Sequence, residues 1–101
     1  MLNSIIVTNL NRITVLGGDV LHAMRSDSPG YNGYGESYFS IIEPGSIKAW
    51  KKHSEMTLNL VVPLGMVRFA FTDADGNFFI KEIGEQNFAR LTVPPGTWFG
   101  F

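Results

Sequence analysis

Polar and apolar residues along this chain alternate in short runs, and no window shows a helical period of comparable strength. Ile5 to Thr8 and Ile13 to Leu16 are β-branched runs either side of the polar Asn9-Leu10-Asn11-Arg12, and Val20 to Met24 follows the turn formers Gly17-Gly18-Asp19. Further strand-like runs are Tyr38 to Glu43, Ile47 to Lys52, Leu58 to Val62 and Met66 to Thr72, punctuated by Pro44-Gly45 and Leu64-Gly65. Phe78-Phe79-Ile80, Phe88 to Val93 and Thr97 to Phe101 complete a count of ten. Regularly spaced short strands predict an all-β sandwich or barrel.

Two linkers in this pattern invite a functional reading. Arg25 to Glu36 is rich in Gly, Ser, Asn and Pro, so it reads as a loop, either a lid whose Tyr31 and Tyr34 stack on a ligand or a mobile surface segment. Asp73-Ala74-Asp75-Gly76-Asn77, with Glu82, matches part of a calcium-binding loop, but its flanks are strand-like. An Asp-Gly pair between Phe69-Ala70-Phe71 and Phe78-Phe79-Ile80 signals a hairpin instead.

Length and composition narrow the function classes. At 101 residues the chain is read as one domain, residues 1–101, that buries roughly 65% of its unfolded surface. Eight basic against nine acidic residues leave no electrostatic footprint for nucleic acid or an anionic membrane. With no cysteine, disulfides and thiolate metal sites are excluded and a reducing compartment is unproblematic. The opening Met1 to Asn9 lacks the basic start and long apolar run of a leader, and Leu58 to Phe71 is interrupted by Asn59, Pro63, Gly65 and Arg68. The expectation is a soluble cytoplasmic protein.

The candidate chemistry gathers in Pro44 to Gly65. In an extended segment Ile47, Ala49, Lys51 and His53 share one face, and Lys48, Trp50 and Lys52 the other. Lys48 and Lys51 differ by an odd number, so a bulge is required to bring both inward. His22 shares parity with Val20 and Met24 and reads as a half-buried strand histidine.

The spacing Gly45, Lys51-x-His53, Leu58, Gly65 resembles the first cupin motif, in which three side chains hold a divalent metal inside a small barrel. Lys51 and Leu58 stand at two of those ligand positions, leaving His53 alone. One imidazole beside a cation does not hold a transition metal firmly, so no metal or other cofactor is expected.

A narrower resemblance is carried by Gly35 to Ser40, Pro44-Gly45-Ser46-Ile47-Lys48-Ala49-Trp50, Val67 to Asp73 and Val93-Pro94-Pro95-Gly96-Thr97-Trp98-Phe99-Gly100-Phe101. Together they resemble the dTDP-4-dehydrorhamnose 3,5-epimerase family, metal-free cupins acting on nucleotide-linked keto sugars. The resemblance implies a cupin-type jelly roll (a double-stranded β-helix) and a sugar or sugar-nucleotide ligand; a ten-strand count ending on an aromatic strand leaves an edge to be covered, so a homodimer that shares or covers edge strands is expected. It places Lys48 on the family's arginine, Lys51 on its catalytic histidine and Phe99 on its second histidine. The family's later strands and their acid tyrosine have no counterpart in this sequence.

Proton abstraction beside a keto group needs a base and a group that stabilises the enolate. Lys51 and His53 are the candidate catalytic pair, and a lysine serves as base or Schiff-base former only when buried or set beside other cations. Lys48 and Arg68 are candidate anion contacts, and Tyr38 and Trp50 candidate substrate contacts. Arg25 and Arg90 are further cations that could meet a diphosphate. The leading expectation is a divergent epimerase-like cupin that binds a dTDP-keto sugar with catalysis altered or lost. The alternatives are a non-catalytic carbohydrate- or small-ligand-binding cupin, and a structural dimerisation module whose barrel is filled by Phe and Trp.

Overall fold

Alternation of side chains along two groups of strands builds two sheets that face each other across an aromatic and aliphatic core. A computed structural model describes residues 4–101; Met1, Leu2 and Asn3, which open the stretch considered for a leader, lie outside the described residues. The strands are β1 (Ile6–Asn9), β2 (Arg12–Ile13), β3 (Val20–Leu21), β4 (Lys51–Lys52), β5 (Leu58–Val61), β6 (Met66–Thr72), β7 (Phe78–Gly84), β8 (Ala89–Val93) and β9 (Trp98–Gly100). One sheet has the order β1-β8-β5, the second β4-β9-β6-β7, and β2 pairs with β3 as a separate ribbon. All the strand pairings between these elements are antiparallel.

The core is where the inward positions of both sheets meet. Ala89, Leu91 and Val93 of β8 pack with Phe69 and Phe71 of β6, Ile83 of β7 and Phe99 of β9. Burying side chains of this size stabilises the fold by roughly 1.5–3 kcal/mol each. Phe69 also meets Phe71 at 6.3 Å and Phe101 at 5.2 Å between ring centroids.

The other face of β8 is buried as well, because the chain from Ala23 to Gly30 lies across it. Arg90 donates to the carbonyls of Ala23 and Pro29 at 2.6 and 2.7 Å. Thr92 donates to Asn59 at 2.6 Å, and Asn59 in turn donates to the Gly30 carbonyl at 3.1 Å. Gly30 has a φ of +83°, and a Cβ there would run into the Thr92 side chain, so both conformation and space demand glycine. The segment read as a lid or mobile loop is therefore pinned at its start, while Tyr31 and Tyr34 beyond it are exposed.

The hairpin reading of Asp73 to Asn77 holds. Asp73 accepts hydrogen bonds from the backbone of Asp75 and Asn77 and from the Asn77 side chain at 2.9–3.1 Å, and Gly76 takes a φ of +80°. Its carboxylate is thus occupied in shaping the β6–β7 turn.

Several expected strands differ. Among the described residues nine are formed rather than ten; Tyr38 to Glu43 forms none, Ile47 to Lys52 contributes only β4, and Ile13 to Leu16 and Val20 to Met24 contribute two residues or fewer. The backbone along 34–47 has no neighbouring strand to pair with among the described residues, and an extended run without one does not become part of a sheet. His22 is exposed just beyond β3 rather than half-buried within a strand. Among the described residues, no helix is long and apolar enough to cross a membrane.

Candidate functional site

The last strand supplies the frame for the candidate residues. Lys51 lies opposite Phe99 and Lys52 opposite Trp98. Lys48 exchanges both backbone hydrogen bonds with Phe101, at 2.6 and 3.1 Å. Ala49 and Trp50 therefore face the single residue Gly100, which is a β-bulge of one residue. Close approach there needs Gly100, since a Cβ would come within 2.6 Å of the Ala49 Cβ.

The bulge resolves the parity conflict between the lysines. Phe99 and Phe101 are two apart on β9 and its extension, and both pack inward, so Lys48 and Lys51 opposite them lie on the inward side as well. Lys48 directs its ammonium to the Ile41 carbonyl at 3.0 Å. Lys51 is exposed. Burial suited to a base is therefore not provided to Lys51 by this chain alone.

His53 is half-buried and stacks on Phe99, with ring centroids 5.8 Å apart and planes 28° from parallel. Its carbonyl accepts from the Gly96 N–H at 2.8 Å, which ties the Pro94-Pro95-Gly96 turn to the end of β4. Met56, Leu58, Val93, Pro94, Thr97 and Phe99 close around it and leave a crevice too narrow to admit water. Leu58, which the cupin spacing puts at a ligand position, is thus beside His53. Among the described residues, no group of three His, Asp or Glu side chains gathers in a metal-binding arrangement.

Three other candidates lie elsewhere. Arg68 alternates with the core residues Phe69 and Phe71, so it is on the outer face, where it meets Glu82 at 3.5 Å. Trp50 is also on that face, with its ring against Phe78 edge-to-face at 5.9 Å, and the neighbouring Lys52 ammonium sits 5.1 Å over Trp98. Tyr38 is exposed in the irregular segment before β4. The chain thus brings together Lys48, Lys51 and His53 and leaves Arg68, Trp50 and Tyr38 apart from them.

Sequence reasoning missed the polar cluster of Asn59, Arg90 and Thr92 on the outer face of the three-stranded sheet. A signal existed: in Phe88-Ala89-Arg90-Leu91-Thr92-Val93 the polar residues occupy every second position, the pattern of a strand with one polar face. Burial of that polar face depends on the distant Ala23 to Gly30 segment, which periodicity within β8 does not reveal. Burial without a counter-charge lowers the Arg90 pKa from its ordinary value.

A dTDP sugar isomerase from Desulfovibrio desulfuricans G20 superposes on the chain with a TM-score of 0.91 and 36% identity, over 96% of this chain and 66% of that one. A probable low-salt glycan biosynthesis epimerase, Agl13, of Haloferax volcanii is 30% identical over 92 residues, covering 83% of this chain and 59% of that protein. The chain therefore spans about three fifths to two thirds of the length of these relatives. No protein-family model matches it. Sequence similarity and superposition together support a dTDP-sugar epimerase-like cupin fold for this all-β chain.

Proposed function

We propose that the chain binds a dTDP-linked keto sugar, or a closely related sugar nucleotide, on the inward side of β4, with epimerase chemistry altered or lost. The observation that carries this reading is the bulge opposite Gly100, which turns Lys48 and Lys51 to one side next to His53. Two ammonium groups there suit the negative charge of a diphosphate or of an enolate formed beside the sugar carbonyl. Lys51 is the candidate base and His53 its polar neighbour; Lys48 is the candidate anion contact. Arg68, Trp50 and Tyr38 would join such a site only through a second chain or a rearrangement.

The setting of Lys51 supports a further element of the reading, a homodimer in which a second copy covers the edge beyond β4. Tyr38, Phe39, Ile41 and Ile47 are between 69% and 96% exposed, and apolar side chains along an unpaired edge suit a symmetric partner. A cytoplasmic location belongs to the same reading, with which a cysteine-free chain is compatible.

A binding protein without turnover is the second reading. Phe99, at the position where the resemblance places a second histidine, stacks on His53 and offers no proton.

The test is solvent deuterium uptake at the carbons flanking the keto group of a dTDP-4-keto-6-deoxyhexose, followed by NMR with wild-type protein and with Lys51→Ala. Exchange that disappears in the variant is the result expected of an enzyme using Lys51. Ligand-induced shifts without exchange would select the binding reading. Neither exchange nor shifts would overturn both.

A further inference from the structure

Buried arginines normally meet a carboxylate, and this chain contains one that does not. Of its four arginines, Arg12 pairs with Asp19, Arg25 with Asp27 and Arg68 with Glu82, all within 4 Å. Arg90 is 1% exposed and has no carboxylate partner among the described residues. Its two terminal nitrogens each donate to one carbonyl, of Ala23 and of Pro29, and its Nε has no acceptor among the described residues. Carbonyl oxygens satisfy N–H groups but carry no net charge, so the guanidinium remains electrostatically uncompensated. A neutral amide could hold the same two carbonyls; the positive charge is what that clamp leaves unexplained.

A cleft of about 490 Å³ opens beside Arg90, between the β1–β2 turn and the chain from Leu21 to Ser28. That is the size of a small-molecule site. Thr8, Asn11 and His22 contribute polar side chains to its walls. Arg25, also at the wall, is already neutralised by Asp27 at 3.1 Å. Because Arg90 alternates with the core residues Ala89 and Leu91, the cleft lies on the opposite side of β8 from the barrel interior.

We propose that this cleft is an anion-binding site, separate from the face carrying Lys51 and His53, in which the carboxylate or phosphoryl group of a small molecule supplies the counter-charge for Arg90. Thr8 lies directly opposite Arg90 in the β1–β8 register, so its hydroxyl is placed to share the same anion. This site is independent of whatever the barrel side binds.

The experiment follows the Arg90 Nε–H resonance by NMR, and the melting temperature, as inorganic phosphate or acetate replaces chloride at constant ionic strength. A saturable shift of that resonance is expected with at least one anion, and a melting temperature raised by roughly 6–11 °C at ten times the dissociation constant. Phosphate acting alone identifies a phosphoryl ligand, and acetate acting alone a carboxylate. Thr8→Glu places a carboxylate opposite the guanidinium; it is expected to melt higher in chloride and to lose the anion-specific shift. An Nε–H resonance unmoved by both anions would overturn the proposal. So would an equal thermal response in wild type and Thr8→Glu, because a general salt effect acts on both.

Discussion

Phe88 to Val93 and Tyr38 to Glu43 are both short runs mixing aromatic, aliphatic and polar residues, yet they have opposite fates. In the first, all five residues of β8 are buried. In the second no strand forms, and Tyr38, Phe39 and Ile41 stand in solvent. The difference lies in their surroundings. β8 has β1 and β5 on its two edges, the phenylalanine core on one face and the Ala23 to Gly30 segment on the other. The earlier run has no paired edge. A strand is therefore a property of a run together with its neighbours, and a β-like pattern without them is only a potential strand.

Substitutions can break or sharpen this contrast. Leu91→Ala empties a fully buried position and is expected to destabilise the fold by about 3 kcal/mol, read from urea unfolding. A loss below about 1 kcal/mol would mean that β8 is not the centre of the core. Gly30→Ala tests the outer cover: a Cβ at positive φ against Thr92 is expected to cost about 2 kcal/mol and to speed amide exchange in β8.

Smaller effects are expected at the β6–β7 turn. The Asn77 side chain and two backbone amides hold the Asp73 carboxylate below its ordinary pKa, against a smaller opposing effect of burial. Its contribution is therefore present above the usual carboxylate range and is lost as pH falls through the depressed folded value. Asp73→Ala should shift the urea midpoint at pH 7, and the gap from wild type should shrink in acid. A gap that is constant with pH would remove the carboxylate from the account. Least affected is the unpaired run: Phe39→Ser is expected to change the stability of the isolated chain by no more than about 0.5 kcal/mol. Under conditions where a dimer forms, the same substitution should weaken association in sedimentation experiments.

Legibility in the sequence follows the same division. The runs at Leu58 to Val62, Met66 to Thr72 and Phe88 to Val93 correspond to strands because their partners are within the chain and antiparallel. The Asp-Gly hairpin was readable because its chemistry is local. Spacing around Lys51 and His53, joined to the Pro-Pro-Gly ending, was enough to indicate an epimerase-like cupin fold. The need for a bulge was legible from the parity of Lys48 and Lys51; its position opposite Gly100 was not, since it depends on pairing with Phe99 and Phe101. Arg68 shows the converse limit. Its charge suggested an anion contact, while alternation with Phe69 and Phe71 sends it to the outer face.

The inward side of β4 is thus the centre of the functional account, and amide shift mapping with a dTDP-4-keto-6-deoxyhexose tests it most directly. The account predicts saturable shifts at Lys48 to His53 and Phe99 to Phe101, lost when Lys48 and Lys51 are both changed to glutamate in a variant whose remaining spectrum is native. Shifts confined to another face, or unchanged affinity in the double variant, would contradict it.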